Sequence, residues 1–564
     1  MRTPLKVSPA FSPPSEYFHD DNPDRTQLLR AGSRVPCAIG RAFAATVLAV
    51  GAHAQVTERV NLGPGTSQSN WGADLWSVGC HVSADGRYVV FRSFALDLVP
   101  GDTNAAWDIF VRDRETQTIE RVSVDSNGAQ ANDDSGQFGF SISADGRFVV
   151  FFSTATNLVP GGSNGPAQIF LHDRSTGATE LISRSSTGVQ GNAQSSSPSV
   201  SDDGRFVEFE SHANNLVAND VNGLLDVFVR DRRARTTSCV SVDPAGHPGN
   251  GVSNWPAISG DGRWMAFASS ASNLVLGDSN STMDGFVRDR VSGITEKISL
   301  STNGVQANLA SGGAPSISRN GRFVAFMGSA TNLVPGDTNN CWDVFVRDRQ
   351  TGKTERASVA TGGAQSFGNP GYTSISANGR FVAFASDAQD LVSPISGGLN
   401  VFVHDRRNDT TELASVSTSG GLADNTSDAP SISANGRFVV FRSNASNLVP
   451  NDTNGAMDIL LHDRDSTGFV SVCAPGDGNV VSPAPAAILP GARAAAATTP
   501  PEQAAPRSPR RASPTPRSTA WSSRPPASAP RPRACSCRAM PSCRTARSSA
   551  RESAVPAARS SACT

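Results

Sequence analysis

Long apolar runs, histidine and catalytic signatures are all scarce in this chain of 564 residues. The one continuous apolar stretch, Ala42 to Gly51, is half the roughly 20 residues a helix needs to cross a bilayer, so no membrane span is expected. Residues 55–480 hold no GxSxG elbow, glycine-rich phosphate loop, HExxH or CxxC, which removes the familiar hydrolase, nucleotide and zinc chemistries. Histidines there are limited to His81, His172, His212, His247, His404 and His462. Three of them, His172, His404 and His462, replace an arginine that recurs elsewhere, and they read as substitutions on a scaffold. Cys80, Cys239, Cys341 and Cys473 occupy unrelated positions, so no disulfide framework recurs, although one bridge stays open in an oxidising compartment. Basic excess is lacking too. A net charge of −1 hides 30 basic against 44 acidic residues in 55–480, an acidity that argues against a nucleic-acid partner and suits cations or basic partners.

One phrase is abundant. Asp-Gly-Arg or Asn-Gly-Arg, followed by alternating apolar residues, recurs at Gly86, Gly146, Gly204, Gly262, Gly321, Gly379 and Gly436, with spacings of 60, 58, 58, 59, 58 and 57 residues. A fixed period of that size marks a repeat architecture in which each unit buries its apolar faces against its neighbours.

The unit around Gly321 shows how the repeat folds. Pro315 to Ser318 predicts a short strand, Asn320-Gly321 a two-residue hairpin turn, and Arg322 to Phe326 the returning strand. A long connection leads to a third strand, Asp343 to Asp348, and a short turn to a fourth, Thr354 to Val359. Strands two and three are apolar on both faces, as a sheet sandwiched between like sheets requires. The expected fold is all-β: a seven-bladed β-propeller of four-stranded antiparallel blades. Thr57-Glu-Arg-Val60 matches a fourth strand with no preceding three, so it is expected to complete the last blade and fasten the ring. Phe469 to Val472 also reads as a fourth strand and competes for that place.

The phrases PSISxxGRFVAF and DVFVRDxxTGxTxRVS resemble the TolB-type, WD-repeat-like β-propeller family of bacteria across all seven units. The resemblance implies the propeller fold. For function it implies a range only: periplasmic binding proteins, non-catalytic domains of prolyl-oligopeptidase-like enzymes, and some lyases.

Two residues recur in every unit. The arginine after the hairpin glycine (Arg87, Arg147, Arg205, Arg263, Arg322, Arg380, Arg437) begins strand two, and an aspartate (Asp113, Asp173, Asp231, Asp289, Asp348, Asp405, Asp463) ends strand three. Antiparallel pairing predicts that each Arg reaches the Asp of its own blade, giving seven structural ion pairs. A ligand-binding arginine ring is the functional alternative.

Five units carry DxNxxxD between strands two and three: Asp102/Asn104/Asp108, Asp220/Asn222/Asp226, Asp278/Asn280/Asp284, Asp337/Asn339/Asp343 and Asp452/Asn454/Asp458. Clustered side-chain oxygens on a bent loop suit Ca²⁺. The same residues also suit an Asx-turn network that caps local backbone amides. These loops are expected on one face together with the long connections between blades and with Trp107, Phe138, Trp255, Trp342 and Tyr372, which suit a protein, peptide or glycan ligand. The opposite face carries only tight turns.

The ends differ from the array. Arg34 and Arg41 precede the apolar run, and Ala52-His53-Ala54 offers a cleavage site before Gln55, so residues 1–54 read as an N-terminal extension with a late export signal and a true start downstream of Met1. Residues 481–564 turn to Pro, Ala, Ser and Arg, a composition expected to be disordered and consistent with out-of-frame translation or with a basic tail. The functional expectation is an exported, monomeric binding or scaffold module spanning 55–480, with a metal-assisted polysaccharide lyase and a purely structural envelope protein as alternatives.

Overall fold

The computed structural model describes residues 54–63, 68–69, 79–163, 165–395 and 397–466. Within them, 28 strands form seven four-stranded antiparallel sheets, the blades of a propeller. Blade 1 contains Cys80–Val82, Tyr88–Ser93, Asp108–Asp113 and Thr118–Arg121. Blade 2 contains Ser135–Ile142, Phe148–Ser153, Gln168–Asp173 and Ala178–Leu181, and blade 3 Ser195–Val200, Phe206–Ser211, Asp226–Asp231 and Thr236–Cys239. Blade 4 is Ser253–Ile258, Trp264–Ser269, Asp284–Asp289 and Thr295–Lys297; blade 5 is Ser311–Ile317, Phe323–Gly328, Asp343–Asp348 and Lys353–Arg356. Blade 6 follows as Pro370–Ile375, Phe381–Ser386, Asn400–Asp405 and Thr410–Leu413.

Blade 7 is made by both ends of the array. Ser427–Ile432, Phe438–Ser443 and Asp458–Ser466 supply three strands, and Ala54–Arg59 joins as the fourth, pairing Thr57 with His462 and Arg59 with Leu460. The competing segment Phe469–Val472 lies outside the described residues, as do residues 1–53 and the tail.

Two strands differ most from the sequence expectation. Strand four of blade 5 ends at Arg356 rather than Val359, because Val359 turns away to bridge Gln365 in the connection to the next blade. Strand one begins earlier, at Ser311, and carries register shifts on either side of Gly313. The shift recurs in strand one of blades 2, 3, 4, 6 and 7.

The core lies between blades. In six blades the central phenylalanines of strands two and three pair, as in Phe326–Phe345 at 5.8 Å and Phe209–Phe228 at 6.0 Å. The hairpin glycine has two reasons to be glycine. Its φ is positive in all seven blades (+67° to +81°), and a Cβ would fall 2.0–2.2 Å from an aromatic ring of the preceding blade, as with Gly321 against Trp264 and Gly86 against Phe438. Beside these turns, backbone bonds run from blade to blade: Gly260 N to Arg319 O, Arg319 N to Ala377 O, Ala377 N to Ala434 O, and Ala434 N to Ala84 O (3.0–3.1 Å). The last of these joins blade 7 to blade 1 and closes the ring.

Candidate binding face

On the short-turn face, the recurrent arginines and aspartates meet within each blade. Nε to Oδ1 distances are 2.7–3.1 Å and Nη2 to Oδ2 distances 2.6–2.8 Å, a bidentate geometry repeated seven times. The hydrogen bond from the arginine holds the carboxyls of Asp113, Asp173, Asp289 and Asp348 far below the ordinary carboxylate range.

A second arginine ring lies beside the first: Arg114, Arg174, Arg232, Arg290, Arg349, Arg406 and Arg464, one residue after each strand-three aspartate. Each lies over the aromatic that follows the hairpin Arg of the preceding blade, at 3.8–4.8 Å from guanidinium to ring centroid. Six of them also bind a glutamate on the fourth strand of that blade, as Arg232 binds Glu180 (2.6 Å) and Arg406 binds Glu355 (2.5 Å). The exception is Arg290, because Ser238 replaces the glutamate; like the other six, Arg290 still donates to the hairpin-glycine carbonyl, here Gly262 O. The sequence signal was present, an invariant Arg two residues after a variable one, but its partner lies about 50 residues away in another blade.

The three histidines that replace a strand-three arginine do not converge. Each is buried in its own blade, with Nδ1 2.8–2.9 Å from a strand-four threonine: His172 with Thr179, His404 with Thr411, His462 with Thr57. Burial lowers all three pKa values, that of His462 to about 4. Among the described residues no three His, Cys, Asp or Glu side chains assemble as metal ligands, and Cys80, Cys239 and Cys341 are free thiols.

The DxNxxxD loops lie on the opposite face. Four of the five asparagines form Asx turns: Oδ1 of Asn104, Asn222, Asn339 and Asn454 accepts from the amide two residues on, at Ala106, Leu224, Cys341 and Ala456 (2.9–3.2 Å). Asn280 departs from them, its Oδ1 accepting from Lys297 Nζ at 3.4 Å. All five donate from Nδ2 to a carbonyl of the connection beside them (2.9–3.2 Å): Asn104 to Ala131, Asn222 to Gly249, Asn280 to Ala307, Asn339 to Ser366 and Asn454 to Ser69. Nδ2 of Asn104, Asn222, Asn280 and Asn339 also reaches the second motif aspartate, so the asparagine turns a donor, not an oxygen, toward that carboxylate.

The carboxylates on which a Ca²⁺ reading rests are engaged by a cation from strand four in four blades. Arg121 binds Asp102 and Asp108 (2.9 and 3.4 Å), and Lys297 binds Asp278 and Asp284 (both 2.8 Å). Arg356 binds Asp337 and Asp343 (both 3.2 Å), and Arg59 binds Asp452 and Asp458 (3.1 and 2.9 Å). In these four loops a side-chain cation stands between the two carboxylates. At the residues expected as calcium ligands, Asp102/Asn104/Asp108, Asp278/Asn280/Asp284, Asp337/Asn339/Asp343 and Asp452/Asn454/Asp458, the oxygens meet a side-chain cation and local donors. Among the described residues, no cation pairs with Asp220 or Asp226 in blade 3.

Nearer the axis, this face exposes Phe138, Trp255, Trp342 and Tyr372, each 40–45% accessible. Trp255 is the most informative. It is the residue where strand one shifts register, and its φ is +52°, a backbone region costly for a bulky side chain. Small residues hold the same repeat position in most other blades: Gly79, Gly139, Ser197, Ala314 and Ala429, all with positive φ. Tyr372 has this position in blade 6. Both tryptophan rings lie beside Gly313, where a Cβ would be in ordinary van der Waals contact with each, 3.5 Å from Trp255 and 4.0 Å from Trp342.

What supports these aromatics differs from blade to blade. One strand-two position, buried in every blade but the fifth, where it is half-buried, holds Arg92, Phe152, Glu210, Ala268, Met327, Ala385 and Arg442 in turn. Arg92 lies 4.4 Å from the Trp107 ring, Phe152 packs edge-on against Phe138 at 5.2 Å, and Arg442 pairs with Asp428. Glu210 accepts from the Trp255 amide at 2.9 Å and from the hydroxyls of Ser196 and Ser197. Aromatic faces with polar groups between them can stack on sugar rings or hold peptide side chains.

No family model matches this chain, and no curated protein matches it. Among solved structures it is similar to TolB from Acinetobacter baumannii at 17% identity and a TM-score of 0.32, covering 54% of this chain and 58% of that one. It is similar to an oligogalacturonate lyase from Vibrio parahaemolyticus at 13% identity and a TM-score of 0.43, covering 72% and 96%. A third is the β-propeller domain of the Trilobed protease from Pyrococcus furiosus, at 13% identity and a TM-score of 0.33, covering 53% and 76%.

Proposed function

We propose that this chain is an exported, monomeric binding module that recognises a protein, peptide or glycan through its long-loop face. One observation carries the reading: Trp255 and Tyr372, exposed on that face, occupy a repeat position where the other five blades have Gly, Ser or Ala, with Trp255 held in a strained backbone to do so. Scaffold positions on the other face do not vary in this way. Export is supported by the segment before Gln55; cleavage after Ala54 keeps Gln55 to Arg59 of the ring-closing strand. In blades 1, 4, 5 and 7 the loops are ordered by side-chain cations rather than Ca²⁺, so adding Ca²⁺ to EDTA-treated protein should leave the melting temperature unchanged.

The test is a combined glycan and peptide array probed with the full chain. Binding to a related group of glycans or peptides supports the module. Silence on both halves favours a purely structural protein.

A further inference from the structure

We propose that blade 3 presents an open socket for a guanidinium or primary ammonium group carried by an outside ligand, with Asp220 and Asp226 as its carboxylate anchors. The seven repeats supply the control. Where both motif aspartates are present, strand four ends on a cation: Arg59, Arg121, Lys297 or Arg356. Blades 2 and 6, with Gln168 and Asn400 in place of the second aspartate, end strand four on Leu181 and Leu413. Acid pair and cation are thus kept or lost together in six blades. Blade 3 alone keeps the acids and ends on Cys239.

The carboxylates are placed as in the other blades. Asp226 accepts from Ser241 Oγ (2.6 Å) and Asn222 Nδ2 (2.6 Å), as Asp343 does from Ser358 and Asn339. Asp220 is 7% exposed, and its Oδ1 has no partner among the described residues. The corresponding Oδ1 atoms of Asp102, Asp278 and Asp337 are the ones that meet Arg121, Lys297 and Arg356. Burial raises the pKa of both acids, that of Asp226 to about 6. Such a pair is costly without a cation.

Room for the cation exists. A cavity of about 290 Å³ is lined by Asn219, Cys239, Val242 and Pro248; Asp220 and Asp226 do not line it themselves, so a ligand seated there reaches them past Asn219 and Cys239. That is the volume of about ten waters at roughly 30 Å³ each, enough for a guanidinium on a short alkyl stem. Pro248 matters because a glutamine holds its place in blades 4 and 5, where Gln306 and Gln365 also bind the cation (2.9 and 3.1 Å). Blade 3 has therefore lost both the internal cation and its second ligand. Arg288 also lines the cavity, but it donates to Thr295 and pairs with neither carboxylate among the described residues.

Calorimetry on the full chain tests the socket, with ethylguanidinium, ethylammonium and CaCl₂ as titrants at matched ionic strength. Saturable binding of ethylguanidinium or ethylammonium by the wild type is expected. Binding should weaken at least tenfold in Asp220→Asn and vanish in Cys239→Arg, a variant that restores the internal pair and should melt above the wild type. A peptide with one arginine, compared with its citrulline form, then tells whether a polypeptide can deliver the cation. Equal binding by wild type and Cys239→Arg, binding of Ca²⁺ alone, or no saturable binding of either organic cation would overturn the proposal.

Discussion

The two faces of this propeller follow different rules. On the short-turn face every blade repeats the same hairpin glycine, the same Arg–Asp pair and the same arginine stacked on an aromatic, so each unit is set by contact with its neighbour. On the long-loop face, corresponding positions hold Trp, Tyr, Gly, Ser or Ala, and the buried group beneath them changes from Arg to Glu to Ala. A ring needs equal joints, whereas recognition needs unlike surfaces. The contrast between blades 5 and 3 sharpens this: blade 5 neutralises its loop acids with Arg356, and blade 3 keeps the acids without the cation.

The largest expected loss comes from removing that neutralisation where it exists. Arg356→Ala leaves the buried carboxylates of Asp337 and Asp343 without a cation and should cost about 3–5 kcal/mol in a denaturant titration. If it melts like the wild type, the ion pair does not order the loop and the blade 3 comparison loses its basis.

A pair of glycines separates backbone strain from close packing. Gly321 and Gly336 have nearly the same φ, +72° and +71°, but only Gly321 faces a ring. Gly321→Ala should cost roughly 3 kcal/mol, and Gly336→Ala, on the open loop, about 1 kcal/mol. Equal losses would show that the glycine contact between blades carries no weight.

Blade 3 also buries Glu208 with neither carboxyl oxygen bonded, at a position where other blades have Val or Ala. Burial raises its pKa well above the ordinary value. Glu208→Val should therefore stabilise the fold by about 1–3 kcal/mol. Above an unfolded pKa near 4.5 the unfolded chain releases this proton while the folded one retains it, so the penalty grows as pH rises. The gain from Glu208→Val should be larger at pH 8 than at pH 5; a gain independent of pH would assign it to packing alone.

The smallest effect is expected at Arg322. Its side chain is 38% exposed, and solvent screens the pair with Asp348, so Arg322→Ala should lower the melting temperature only slightly.

Much of the fold was legible because the repeat states it seven times. Asn320-Gly321 marks a hairpin, and Thr57-Glu-Arg carries the fourth-strand pattern without the other three, which is enough to close a ring. The features of the binding face were harder to read. Trp255 looks like an ordinary strand residue until its positive φ is known, because proline at 256 constrains the backbone without revealing the shift in register. The DxNxxxD spacing fits a calcium loop and an Asx turn equally well, and the strand-four cation beside Asp102 and Asp108 lies outside the motif, where its spacing gives no sign of it. Cys239 looks like one more scattered cysteine until strand four is laid beside Asp220 and Asp226, 19 and 13 residues earlier in sequence. Arg114 and its equivalents escaped for a related reason, since their glutamate partners belong to a neighbouring blade.

The division between the faces is tested most directly by repeating the array with one variant from each. Trp255→Ala combined with Trp342→Ala should lose at least tenfold in binding to the ligands the wild type selects, and Arg147→Ala, from the short-turn face, should retain it. Unchanged binding by the tryptophan variant, or loss of binding by a folded Arg147→Ala protein, would contradict the account.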